Sequence, residues 1–82
     1  MENVAAFMYG TEYAERMQKF DAGVAQIESE NSSLFEDRGL SGCYVIQTFQ
    51  NNTVQIIFTE SDLPPRIVKQ VLDLFGSLFP KP

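Results

Sequence analysis

Three pairs of closely spaced acids are the residues best suited to chemistry: Glu28/Glu30, Glu36/Asp37 and Glu60/Asp62. Paired carboxylates hold hard cations or divide the roles of general acid and base. Glu36-Asp37 sits among Ser, Gly and Arg without the alternating acid frame of a calcium loop, so a solvated surface is the expected role. The single thiol, Cys43, opens an apolar run and is expected to be buried filler rather than a nucleophile. There is no His, which removes the commonest general base, the commonest zinc ligand and every Ser-His or Cys-His pair. Gly39-Leu-Ser-Gly42 lacks the Lys and following hydroxyl of a phosphate loop and reads as turns. The expectation is a protein that is not an enzyme, with no catalytic residues, no metal and no cofactor.

Charge points elsewhere. The net charge is −5, and residues 1–42 hold all of the excess: Glu2, Glu12, Glu15, Asp21, Glu28, Glu30, Glu36 and Asp37 against Arg16, Lys19 and Arg38. Residues 43–82 balance, with Glu60, Asp62 and Asp73 against Arg66, Lys69 and Lys81. Phosphate backbones are bound by clustered Lys and Arg, and none occur, so direct nucleic-acid binding is not expected. An acidic half suits a basic protein surface, including another protein's nucleic-acid groove.

Eighty-two residues, 44% of them apolar, make one small domain spanning 1–82. One cysteine leaves it without disulfide or zinc staples, which favours help from a partner subunit. MENVAAFMYG has no basic segment of a signal peptide, and no run approaches the ~18–20 apolar residues of a membrane span. The expected location is cytoplasmic, and the two Asn-x-Ser/Thr matches are coincidental.

The elements follow from periodicity. Tyr13, Met17, Phe20, Val24 and Ile27 recur at helical spacing and predict a helix from 11 to about 30. Glu12–Arg16 and Glu15–Lys19 would support it as i,i+4 pairs. Gly10-Thr11 is its expected stop and N-cap, leaving Asn3–Tyr9 as a short preceding turn; the alternative is one helix from Glu2 to Ser29. Gly23 within the helix marks a close approach by another backbone. Residues 29–42 form a long loop in which Leu34, Phe35 and Leu40 plug the core.

Cys43–Glu60 then reads as a hairpin around Asn51-Asn52. A two-residue turn pairs Gln50 with Thr53, Phe49 with Val54, Gln47 with Ile56 and Val45 with Phe58. That face is nearly all apolar and is expected to point inward. The other carries Tyr44, Ile46, Thr48, Gln55, Ile57 and Thr59, with an apolar spot where Ile46 meets Ile57. A second helix opens at Pro64-Pro65, ends at Pro80, and carries an apolar stripe wider than one hairpin face covers.

The fold class expected is α+β: N-terminal helix, long loop, two-stranded antiparallel β-hairpin, C-terminal helix. The function expected is a small acidic protein-interaction module that inhibits or regulates a larger macromolecule by occupying its surface. Its contact residues are Glu12, Glu15, Asp21 and Glu28 on the first helix. In the loop and outer sheet face they are Glu36, Asp37, Tyr44, Ile46 and Ile57. Its partner is a protein, in the sharpest form a basic nucleic-acid-binding one, with no membrane. The profile resembles that of phage and mobile-element inhibitors, including anti-CRISPR proteins, in type rather than by motif. The competing reading is a homodimeric structural or regulatory protein without an inhibitory role.

Overall fold

The computed structural model describes residues 4–8, 12–50 and 53–79. The order helix, hairpin, helix is present. Helix α1 spans Tyr13–Glu30, and helix α2 spans Pro65–Leu78. Two further strands flank the hairpin turn, Tyr44–Thr48 and Thr53–Phe58, and a strand at Val4–Met8 precedes α1. In chain order these are β2, β3 and β1. Short 3-10 turns at Ser32–Leu34 and Leu40–Cys43 break up the connection from α1 to β2.

Strand β1 corrects the expectation of a turn at Asn3–Tyr9, and equally that of a helix starting at Glu2. It pairs antiparallel with β3, opposite β2, so the sheet runs β1-β3-β2 with β3 in the middle. A five-residue apolar run such as VAAFM has no periodicity to separate strand from helix. The unfilled edge of β3 decides it. Gly10 and Thr11, the expected stop and cap of α1, lie outside the described residues.

The hairpin register is one residue away from the expected one. Tyr44 faces Phe58, Ile46 faces Ile56 and Thr48 faces Val54, while Val45 faces Ile57 and Gln47 faces Gln55. The Phe49 N–H donates to the Thr53 carbonyl at 2.9 Å, so the strand ends pair at Phe49 and Thr53 instead of at Gln50 and Thr53 as expected. A slip of one residue exchanges the faces of a strand. Tyr44 and Ile46 therefore turn inward, and Val45 and Phe49 turn out. Each face of β2 carries two large apolar residues, so alternation within that strand did not fix its orientation. In β3 it did: Val54, Ile56 and Phe58 are fully buried, with Thr53, Gln55 and Ile57 half-buried between them.

Both helices lie on the inward face. Phe20 and Val24 of α1 and Ile67, Val68, Val71 and Phe75 of α2 are buried with the sheet residues, and Tyr13, Met17 and Ile27 pack against them. The helices run antiparallel. At one end the Arg16 guanidinium donates to the Leu78 carbonyl at 3.2 Å, supplying a cation to the negative end of α2. At the other, Arg66 donates to the Asn31 side-chain carbonyl at 2.8 Å, while the Asn31 amide donates to the Ile27 carbonyl at the end of α1. Between them, a Cβ placed on Gly23 would stand 2.5 Å from Leu74 Cδ2, so what approaches closely there is a side chain of α2 and not the backbone expected. This contact also takes up part of the wide α2 stripe. Phe35 and Leu40 plug the core as expected, but Leu34 stays 39% exposed.

Candidate protein-interaction surface

The acids assigned to the first helix are occupied in different ways. Glu12 pairs with Arg16 at 3.4 Å, beside the end of α2, and Glu15 with Lys19 at 3.9 Å on the exposed side of α1. Such pairs contribute only about 0.3–0.5 kcal/mol each, but they cancel the local charge. Glu28 is turned inward along the fold. Its Oε1 accepts the Leu40 N–H at 2.6 Å, holding the start of the 3-10 turn Leu40–Cys43. Glu28→Ala is expected to cost about 1.5–3 kcal/mol, the value of a hydrogen bond to a charged group, and thermal denaturation would read it. That role in folding sets Glu28 apart from the other acids of the helix.

Asp21, Glu28 and Tyr44 do come together. With Val24, Ala25 and Ser41 they line an open cleft of about 450 Å³ between α1 and the start of β2. The Tyr44 ring is buried edge-on against Phe20 and Phe58, with centroids 5.8 Å away in each case. Burial, reinforced by the charge of Asp21, pushes its phenol from 10 up to about 12. The neutral, protonated form is thus favoured by folding. Tyr44 contributes its full stabilisation below pH 10, and this is lost as pH rises from about 10 to about 12. A spectrophotometric titration is expected to show Tyr44 ionising late, as a phase at about pH 12 that Tyr44→Phe removes.

Glu36 and Asp37 are exposed, and with Ser33, Leu34, Arg38 and Asp62 they line a shallow hollow of about 360 Å³. Arg38 bridges to the chain after β3, with Nη1 2.9 Å from Glu60 and Nη2 3.1 Å from Asp62. Its pKa is raised, chiefly by the hydrogen bond from its guanidinium to Asp62. One cation among four carboxylates leaves this ground acidic, with Glu36 and Asp37 from the loop and Glu60 and Asp62 from the chain after β3. Beside it Cys43 is buried, its thiol pKa pushed up by desolvation, as suits inert filler.

The outer sheet face holds Ile57, as expected, but the placement of Tyr44 and Ile46 there is corrected by the register. Their places are taken by Val45 and Phe49, which are 43% and 44% exposed. Val45 lies opposite Ile57 across the strands and Gln47 opposite Gln55, and with Thr53 and Ala6 they give a face on which none of the described residues is charged. Sequence reasoning missed this pair because it placed both residues in the core. It also missed an open groove of about 520 Å³ along α2, lined by Leu63, Pro65, Val68 and Leu72, with the Lys69–Asp73 ion pair at 2.8 Å on its rim. The excess width of the α2 stripe was the signal for that groove.

Among the described residues no group of His, Cys, Asp and Glu is placed to hold a metal ion, and no helix is long and apolar enough to cross a membrane. No protein-family model, no curated protein and no solved structure matches the chain.

Proposed function

We propose that the protein is an interaction module that inhibits or regulates a larger macromolecule by occupying part of its surface. One observation carries this reading. Both helices cover the same face of the sheet, and the opposite face presents Val45, Phe49 and Ile57 on a neutral surface. Isolated exposed apolar residues are ordinary, but the Val45–Ile57 pair, with Phe49 further along the same face beyond Gln47, lies where none of the described elements packs and makes the kind of surface that partners bury. The acidic loop around Glu36 and Asp37 is the second contact, suited to a basic region of the partner. It replaces the acidic helix, where Glu12 and Glu15 are already paired and Glu28 serves the fold. An inhibitor of a nucleic-acid-binding protein is the sharpest form of this reading.

Quantitative affinity purification from the native host tests it. The wild-type chain is expected to retain a defined protein that Val45→Asp/Phe49→Asp loses, at an unchanged thermal midpoint. Glu36→Lys/Asp37→Lys should weaken retention in a salt-dependent way. Identical captured proteins for wild type and the sheet-face variant would refute the assignment.

A further inference from the structure

From Gly39 to Thr59 the chain carries no Asp, Glu, Lys or Arg, although the protein as a whole has a net charge of −5. This uncharged run contains β2, and β2 is an end strand of the sheet. Natural sheets guard open edges with charges, Pro or bulges. Tyr44-Val-Ile-Gln-Thr-Phe49 has no charge and no Pro, and its pairing with β3 is continuous.

The hydrogen-bond alternation shows what the edge offers. Thr59 N–H donates to the Cys43 carbonyl and Phe49 N–H to the Thr53 carbonyl, so the odd-numbered residues of β2 bond to β3. In an antiparallel ladder the intervening residues then direct their N–H and C=O groups away from the partner strand. These are Tyr44, Ile46 and Thr48, three positions centred on Ile46.

We infer that β2 pairs antiparallel with β2 of a second copy of this chain, about a two-fold axis at Ile46, to make a continuous six-stranded sheet. In this arrangement Ile46 faces its own counterpart and Tyr44 faces Thr48 of the other copy. All three outward positions become hydrogen-bonded pairs. The pleat stays in phase: Ile46 meets Ile46 on the helix-covered face, where it is only half-buried in one copy although it packs on the core. Val45 meets Gln47 on the outer face. Charge selects a second copy over a basic partner. Two chains of −5 repel through most of their surfaces, but the paired strands themselves bring no charge to the seam, where the acids nearest Tyr44 are Asp21 and Glu28 of α1; a basic partner would be drawn to the loop of Glu36 and Asp37. Isologous two-fold contacts are also the commonest way small soluble proteins associate. The pairing leaves the outer face open and doubles it; Val45 is shared by the seam and that face, whereas Phe49 lies beyond the paired positions.

Two variants test the inference on the intact chain. Thr48→Pro removes an N–H that points away from β3, so no ladder bond within one copy is lost, and Pro is tolerated on edge strands. Sedimentation is expected to give twice the 9.3 kDa chain mass for wild type. Thr48→Pro should self-associate at least tenfold more weakly at a similar thermal midpoint. Independently, a mixture of Val45→Cys and Gln47→Cys chains should oxidise to a mixed disulfide, because non-hydrogen-bonded antiparallel positions lie about 4.5 Å apart. Either variant alone should cross-link poorly. This second readout decides the matter if Thr48→Pro fails to fold. A wild-type chain that stays monomeric at millimolar concentration overturns the inference. So does a dimer that neither weakens in Thr48→Pro nor cross-links in the cysteine mixture, or a monomer that captures a strand of another protein.

Discussion

Phe20→Ala is expected to destabilise the protein by about 3–5 kcal/mol, the range for removing a buried aromatic ring. Phe20 has no exposed surface and stands where all the layers meet. Its ring is edge-on to Tyr44 of β2 at 5.8 Å and to Phe75 of α2 at 5.7 Å. Edge-to-face pairs contribute about 0.5–1.5 kcal/mol beyond burial, so losing two places the effect at the upper end of the range. Small domains have about 5–15 kcal/mol of stability in total, and this one lacks disulfides to raise it. Urea denaturation should therefore show a sharply lowered midpoint with an unchanged slope. A loss below 1 kcal/mol would mean that α1 does not close over the sheet as described.

The second large effect is expected at Phe58→Ala, again about 3–5 kcal/mol. Phe58 is fully buried and stacks edge-on against Tyr44 at 5.8 Å. The adjacent Ile57 is the control. It faces outward and is half-buried, so Ile57→Ala should cost about 1 kcal/mol or less, within the range of strand preference. The contrast between neighbours reads the alternation of β3 directly. Equal losses at the two positions would show that the outer face is covered in the isolated protein. The same logic applies across the turn: Val45→Asp should be tolerated and Ile46→Asp should not, the reverse of what a two-residue turn would give.

The helices were legible because periodicity over eighteen and fourteen residues is redundant. The seam of Tyr13, Met17, Phe20, Val24 and Ile27, the opening at Pro65 and both i,i+4 pairs of α1 all appear in the structure. Strand β3 was legible for a related reason, since its alternation is unambiguous. Strand β2 was not. With Tyr44 and Ile46 on one face and Val45 and Phe49 on the other, either orientation buries similar apolar surface. The pairing of Phe49 with Thr53 then decided what the pattern left open. Strand β1 was illegible locally because its identity depends on β3, nearly fifty residues away. The candidate surface inherits these limits. Glu36 and Asp37 are exposed and Ile57 faces outward, but Tyr44 is buried, Ile46 packs half-buried against the core, and Glu28 holds a turn. Val45 and Phe49 took over the outer face through the register alone.

Hydroxyl-radical footprinting of Phe49, free and in complex with a captured partner, tests the binding role of the outer sheet face most directly. Free Phe49 should label readily, as its 44% exposure requires. In the complex its labelling should fall several-fold, while the exposed side of α1 labels as before. Unchanged labelling at Phe49, with protection on α1 instead, would contradict the assignment and return the interface to the acidic helix.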